Sequence, residues 1–92
     1  MAETRHVVVS GRVQGVGYRA FVADLAARHG ITGWVRNCSD GTVEAMLSGE
    51  AAVLDILVAA LRQGPRGAKV QDVLVTPVDD PVPSRFAILP TA

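Results

Sequence analysis

Aromatic side chains are scarce in this sequence, and it has no excess of charge of either sign. The 92 residues include one tryptophan, one tyrosine and two phenylalanines, and nine basic side chains balance nine acidic ones. Proteins that bind nucleic acids usually present a basic surface, and many also stack bases on aromatic rings. The composition therefore argues against a nucleic-acid partner.

Cysteine and long apolar runs are equally rare. Cys38 is the only cysteine, so an internal disulfide is excluded and an oxidising compartment gains no support. No apolar run approaches the roughly 20 residues that cross a membrane, and residues 1–6 lack the apolar segment of a signal peptide. We therefore expect a cytoplasmic protein with no membrane partner.

The chain does contain enough apolar side chain for one packed core. Hydrophobic residues make up 49% of it and charged residues 20%, which is typical of a globular protein. A chain of this length corresponds to one domain, and it shows no repeat, low-complexity tract or internal boundary. Residues 1–92 are therefore predicted to form a single domain, and since no long exposed apolar strand demands a partner, we expect a monomer.

The hydrophobic pattern predicts five strands and two helices. Strands are indicated where apolar and polar residues alternate, and helices where apolar residues recur three and four apart. The predicted strands are residues 5–13, 31–37, 42–47, 69–76 and 85–89, and the predicted helices are residues 19–29 and 50–63. Asp40-Gly41 predicts a hairpin between the second and third strands.

This order of elements predicts an α+β fold. Strand, helix, strand, strand, helix, strand is the βαββαβ pattern of a ferredoxin-like sandwich. Two helices should cover one face of a mostly antiparallel sheet, and residues 85–89 should add an extra C-terminal strand.

A glycine-rich loop joins the first predicted strand to the first helix. It consists of Gln14, Gly15, Val16, Gly17 and Tyr18, and Arg19 follows in the first turn of the helix. Glycines let successive N–H groups point inward, and the helix start adds unpaired N–H groups and the positive end of its dipole. An arginine here is unfavourable unless an anion compensates, and its planar fork suits phosphate. We therefore predict that this loop binds a phosphate group.

Two other interpretations of the loop are weaker. Gly15-x-Gly17-x-x-Ala20 also matches the dinucleotide-binding fingerprint, but that site needs a parallel strand after the helix and a large doubly wound sheet. Here the following strand turns back at Asp40-Gly41. For the glycines alone, a tight turn without a ligand would be the favoured interpretation, and it is Arg19 that favours phosphate binding.

A second group of candidate residues surrounds the predicted hairpin. Asn37 ends the second strand just before the turn, and considered alone it is best interpreted as a turn residue. Trp34 is interpreted as a packing residue and Arg36 as a solvated charge. Cys38 is interpreted as an incidental thiol. A cysteine phosphatase needs an arginine six residues after its cysteine, and that position is occupied by Glu44.

Metal and nucleotide sites have no support in the sequence. His6 and His29 lie far apart, and neither is accompanied by a cluster of carboxylates. No Gly-Lys-Ser or Gly-Lys-Thr run predicts a Walker loop. We therefore expect neither a metal nor a cofactor.

Two sequence blocks resemble a known family. Residues 11–19, Gly-Arg-Val-Gln-Gly-Val-Gly-Tyr-Arg, and residues 33–37 with 40–44 resemble the signature blocks of the acylphosphatases. The order of elements is also similar to that family's fold, so the resemblance covers nearly the whole chain. It implies an enzyme that hydrolyses acyl phosphates without a metal, with inorganic phosphate as product and competitive inhibitor. By resemblance, Arg19 would bind the phosphate, Asn37 would position the attacking water, and the backbone of residues 14–18 would form the cradle.

The chemistry of the implied reaction agrees with these residues. The leaving group is a carboxylate, whose conjugate acid has a pKa of about 4, so no proton donor is needed. The less typical proline-rich connection of residues 77–83 and the residues 90–92 should affect edge packing only. Two alternatives stay open, namely a non-catalytic anion-binding or regulatory ferredoxin-like module and an RNA-binding ferredoxin-like domain, which the charge and aromatic content disfavour.

Overall fold

The computed structural model describes residues 2–92; residue 1, which the predicted domain includes, lies outside them. The strands are β1 (Ala2–Arg12), β2 (Thr32–Asn37), β3 (Val43–Glu50), β4 (Lys69–Val78) and β5 (Ala87–Ile88), and the helices are α1 (Tyr18–His29) and α2 (Ala51–Gln63). The predicted α+β fold with βαββαβ order is confirmed, and the ends of the elements differ from the predicted ones by at most three residues.

The five strands form one sheet in the order β4-β1-β3-β2-β5. All pairs are antiparallel except β2 with β5, which is parallel. β1 therefore lies inside the sheet, and its C-terminal end leads directly into the glycine-rich loop. A bulge between Ser10 and Gly11 interrupts its register with β4, and bulges bend a strand and increase its local twist.

The core lies between one face of the sheet and the two helices. Its buried strand residues include Val7, Val9, Val35, Val43, Ala45 and Leu47, and the helices add Tyr18, Val22, Ala26, Leu54, Leu57 and Leu61. The strand residues are all odd-numbered, because alternate side chains of a strand share one face. The predicted recurrence of apolar residues three and four apart is confirmed in α2, where burial of each of the leucines at 54, 57 and 61 contributes about 1.5–3 kcal/mol.

Neither α1 nor α2, the helices in the described part of the chain, has the length and apolar character needed to cross a bilayer.

A buried hydrogen bond joins the start of α1 to the end of α2. The Tyr18 side chain is 2% exposed, and its hydroxyl donates to the Leu61 carbonyl oxygen at 2.8 Å. Within a helix that carbonyl would accept from residue 65, but Pro65 has no N–H to donate. Tyr18 therefore satisfies a carbonyl that the proline ending α2 leaves unpaired.

Alkaline titration should report on this bond, because Tyr18 is the only tyrosine. Burial raises the pKa of Tyr18 well above its ordinary value, so above about pH 10 the folded chain retains a proton that the unfolded chain has lost. We expect the free energy of unfolding to fall as pH rises through this range. Phenolate absorbance should appear together with loss of far-UV circular dichroism.

The Tyr18→Phe variant is the control for this titration. It should lack the Tyr18 contribution to alkaline destabilisation, and at neutral pH its unfolding free energy should be lower by about 1–2 kcal/mol because the Leu61 carbonyl is left unpaired. Urea unfolding at several pH values measures both effects. Ionisation of Tyr18 near pH 10 in a fully folded chain would contradict the burial.

Candidate functional site

The loop between β1 and α1 owes its shape to two glycines. Gly15 has φ 73° and Gly17 has φ 77°, whereas Val16 between them has no positive φ. Left-handed backbone is unfavourable for other residues, and a side chain added at either glycine would meet no atom within 4 Å. The alternation of backbone handedness turns successive N–H groups toward one concavity, which is a common anion site.

The N–H groups at this end of α1 are unpaired. Within residues 2–92, no backbone carbonyl accepts a hydrogen bond from the N–H groups of residues 15–20, and the first bond runs from Phe21 N–H to the Gly17 carbonyl oxygen at 3.0 Å. Gly17, the N-cap, provides no side-chain cap, and the first turn has no acidic residue. The positive end of the helix dipole is therefore uncompensated by the protein.

Arg19 adds a full charge to these donors. It lies half-buried in the first turn of α1 and lines the same cleft as the glycines. No carboxylate among residues 2–92 pairs with it, although Arg5, Arg28 and Arg36 all have acidic partners. The guanidinium is therefore free to bind an anion.

A single small cleft brings the two predicted catalytic residues together. Its volume is about 270 Å³, and it is lined by Val13, Gly15, Gly17, Tyr18, Arg19, Ala20, Asn37 and Ile88. Arg19 comes from α1 and Asn37 from the end of β2, on the face of the sheet that the helices cover. Pockets for drug-sized ligands usually range from about 300 to 1,000 Å³, so the cleft suits a small ligand.

The residues predicted to form the cradle occupy different places. Gly15, Gly17 and Tyr18 line the cleft, although the Tyr18 ring is turned into the core. Val16 packs against the core instead. The Gln14 amide Nε2 donates to two carbonyl oxygens of the hairpin turn, those of Cys38 at 2.8 Å and Thr42 at 2.9 Å.

Asn37 is held by its backbone, while its side-chain amide remains free. Its backbone is paired with Val43 of β3, and its carbonyl oxygen accepts from the Ala92 N–H at 3.0 Å. The side chain is half-buried, and no hydrogen bond links its amide to the rest of residues 2–92. Because its backbone is held and its side-chain amide is unpaired, Asn37 can orient a water molecule in the cleft.

The C-terminal residues contact the site, and the expectation that residues 90–92 affect edge packing only was wrong. Leu89 N–H donates to the Val35 carbonyl oxygen at 2.9 Å, Ala92 N–H donates to Asn37, and Ser39 N–H donates to the Ala92 carbonyl oxygen at 3.0 Å. These bonds continue the pairing of β5 along the end of β2. Residues 85–89 were predicted as a strand, but local sequence carries no signal for the register of so short a strand, so its contacts with the end of β2 could not be predicted.

A polar cluster lies on the opposite face of the sheet. Arg36 Nε donates to Glu44 Oε1 at 2.7 Å, His6 Nε2 lies 2.6 Å from Glu44 Oε2, and the Arg36 guanidinium stacks over the Trp34 ring at 4.7 Å. The interpretation of Arg36 as a solvated charge was therefore wrong. Burial raises the pKa of Glu44, but the hydrogen bonds from His6 and Arg36 outweigh it and hold that pKa below its usual range.

This cluster is separate from the cleft, because even-numbered residues of β2 face away from the helices. Within residues 2–92, no group of three or more histidine, cysteine, aspartate or glutamate side chains is placed to hold a metal ion. Cys38 is half-buried, and its thiol lies 3.8 Å from Glu44 Oε1.

Comparisons with known proteins agree with the resemblance of the two sequence blocks. The Acylphosphatase family model matches residues 5–88. The chain is 57% identical over 72 residues to an acylphosphatase of Alcanivorax borkumensis, and the aligned residues make up 78% of this chain and 78% of that one. The match therefore spans most of both chains.

Solved structures give the same result. The structure matches a crystal structure of acylphosphatase from Bacillus subtilis with a TM-score of 0.89 and 37% identity, covering 97% of this chain and 99% of that one. It also matches the structure of an acylphosphatase from Coxiella burnetii with a TM-score of 0.91 and 38% identity, covering 96% of this chain and 93% of that one. The chain therefore belongs to the acylphosphatase family and is an enzyme.

Proposed function

We propose that this acylphosphatase hydrolyses small acyl phosphates by direct attack of a water molecule that Asn37 positions, while the glycine-rich loop and Arg19 hold the phosphate. The observation that carries the proposal is the cleft that unpaired N–H donors, Arg19 and Asn37 share. The first two bind an anion, and the third is a neutral hydrogen-bonding group beside it. Together they supply a phosphate site and a place for the nucleophile.

Phosphate binding follows from the charge at the start of α1. The free N–H groups of residues 15–20 and the helix dipole favour an anion. The Arg19 guanidinium can form two parallel hydrogen bonds to phosphate oxygens. Inorganic phosphate, the product, fits the same donors, and we therefore expect it to inhibit competitively.

The reaction asks little of the protein beyond positioning. The water oxygen bonds to phosphorus as the bond from phosphorus to the acyl oxygen breaks, the acyl group leaves as a carboxylate, and the protons of water pass to phosphate oxygens or solvent. In a loose transition state the charge spreads over the phosphoryl oxygens. The N–H groups and Arg19 stabilise that charge where it develops.

Asn37 acts on the attacking side. Its amide is free and lines the cleft, so it can accept from or donate to a water molecule without competing partners. Holding the water in line with the breaking bond removes much of the entropic barrier of a bimolecular step. A strong base is unnecessary when bonding to the water is slight in the transition state.

Several further properties are part of the proposal. A carboxylate leaves without a Lewis acid, so we propose that turnover is metal-independent. A single domain over residues 1–92, a monomeric state and a cytoplasmic location stay predictions from the sequence. No observation favours the alternative of a non-catalytic anion-binding or regulatory module.

Arg19→Ala should weaken phosphate binding by about 100-fold or more, because charge-assisted hydrogen bonds contribute about 1.5–3 kcal/mol each. Turnover should be lost with it, and Arg19→Lys should restore little, since a point charge cannot replace a two-pronged contact. Phosphate titration by calorimetry and steady-state kinetics measure both. Arg28→Ala, on the exposed side of the same helix, is the control, and intact phosphate affinity in Arg19→Ala would refute the assignment.

Asn37→Ala should lower kcat by on the order of 100-fold, as loss of a preorganised hydrogen-bonding group does, with little change in phosphate affinity. Both kcat and kcat/KM should fall, the pattern of an interaction made in the transition state. Asn37→Asp should also weaken binding, because it places a negative charge beside the substrate. If Asn37 only shapes the turn, Asn37→Gly will retain near-wild-type kcat; Ser39→Ala in the same turn is the control.

Hydrolysis of an aromatic acyl phosphate should be unaffected by EDTA, and alkyl phosphate monoesters should be nearly inert. An alkoxide is a far poorer leaving group than a carboxylate, and the proposed site offers neither a proton donor nor a nucleophilic side chain. Absorbance assays with both substrates, with and without chelator, measure this. Activity lost in EDTA and restored by Mg²⁺ would contradict the mechanism.

A further inference from the structure

The phosphate donors and Asn37 come from two separate segments of the chain. The donors are the N–H groups of residues 15–20, in the loop before α1 and at the start of that helix, whereas Asn37 ends β2 just before the hairpin turn of residues 38–42. Within residues 2–92, the hydrogen bonds between this loop and this turn are the two donated by Gln14. One side chain thus connects the binding half of the site to its water-positioning half.

We propose that Gln14 is a positioning residue that sets the place of Asn37 relative to the bound phosphate, a role that rests on the function proposed above. A side-chain amide has two N–H donors, and both are engaged, by Cys38 at 2.8 Å and Thr42 at 2.9 Å. Both partners are carbonyl oxygens, which only accept, so the Gln14 nitrogen must face them. The Gln14 amide nitrogen therefore has no donor left for phosphate.

The hairpin turn does not need Gln14 to satisfy its own backbone. The Cys38 carbonyl oxygen also accepts from Gly41 N–H at 3.1 Å, and the Thr42 carbonyl oxygen also accepts from Cys38 N–H at 2.9 Å. Loss of the amide would leave neither carbonyl without a partner, and the penalty for an unpaired buried group would not arise. What Gln14 adds is the attachment of this turn to the phosphate loop.

The attachment matters for the rate more than for binding. The phosphate donors lie within one continuous segment, residues 15–20, whose shape comes from its glycines and from α1. The position of the water, in contrast, depends on where the turn carrying Asn37 lies against that segment. Misplacement of a reacting group by about 1 Å can lower the rate by about 100-fold, so a looser turn lowers kcat while phosphate affinity stays.

Gln14→Met, which keeps the length of the side chain and removes both donors, tests the inference. We expect kcat on an aromatic acyl phosphate to fall about 10- to 100-fold, while the inhibition constant of inorganic phosphate changes less than about twofold. Gln63→Met, at the exposed C-terminal end of α2, is the matched control and should leave both unchanged. Circular dichroism establishes that each variant is folded.

Gln14→Glu gives a second readout, in which activity depends on pH. Its carboxylate would face two carbonyl oxygens, which repel it and raise its pKa; once protonated, it can donate to one of them. The ratio of variant to wild-type kcat should therefore be lowest at neutral pH and rise as pH falls through that raised pKa. Gln63→Glu, which adds the same charge elsewhere, should keep a constant ratio.

Other ionisable groups near the turn are the same in both proteins, so the ratio removes their effect. These groups are Arg19 on α1, the hairpin residues Cys38, Asp40 and Glu44, and the two groups that contact Glu44, His6 on β1 and Arg36 on β2. The hydroxyl and N–H of Thr42 hold the pKa of Asp40 below its ordinary value, and the pKa of Glu44 is also lowered. As pH falls, the carboxyl groups of Asp40 and Glu44 therefore stay ionised after the introduced glutamate has become protonated.

The outcomes separate this inference from the proposed function. If the wild-type protein turns over substrate and folded Gln14→Met has the same kcat, the positioning role is overturned and the proposed function stands. If Gln14→Met loses phosphate affinity and kcat in parallel, Gln14 is part of the phosphate site and the positioning role is also overturned. The positioning role is likewise overturned if Gln14→Glu folds and the ratio of its kcat to that of the wild type does not change with pH. If neither variant folds, Gln14 is structural and the inference fails; if the wild type shows no turnover, the function fails with it.

Discussion

The site depends on a helix start that the protein leaves positively charged. Most helices satisfy their first N–H groups with a Ser, Thr, Asp or Asn side chain at the N-cap. Here Gly17 occupies that position without a side-chain cap, no acid stands in the first turn, and Arg19 adds a further positive charge. An aspartate at this N-cap would stabilise α1, but it would occupy the donors and repel phosphate. The absence of a cap is therefore what makes the donors available.

The rest of the fold compensates for this open helix start. Tyr18, the first residue of α1, directs its backbone to the cleft and its ring into the core, where its hydroxyl bonds to the Leu61 carbonyl. This hydrogen bond joins α1 to α2 at the first turn of α1, where the backbone N–H groups are unpaired. The central position of β1 in the sheet fixes the other end of the loop. Buried contacts on both sides hold in place a loop that has few backbone hydrogen bonds of its own.

The features that the sequence predicted are those in which local pattern decides structure. Apolar alternation in the strands, apolar spacing in the helices and the Asp40-Gly41 turn led to the fold, and Arg19 at a helix start indicated the loop that lines the cleft together with Asn37. The partners of Tyr18, Gln14 and Arg36 could not be predicted, because each lies on another element and is reached only through the register of the sheet or the packing of the helices. β1 extends further toward the N-terminus than predicted because β3 continues opposite it, with Ala2 paired to Glu50.

The site itself also has one part that depends on local sequence and another that depends on contacts between distant elements. Its proposed phosphate-binding part is one continuous stretch of chain, residues 15–20, which a local sequence motif can encode. Asn37 comes from another strand, and its place relative to that stretch depends on contacts across the fold: the bonds from Gln14, the pairing with β3 and the hydrogen bond from Ala92. Binding a phosphate requires only the first part. In the proposed mechanism, aligning a water molecule with the breaking bond requires both parts, so the accuracy of that alignment would depend on long-range contacts that local sequence does not reveal.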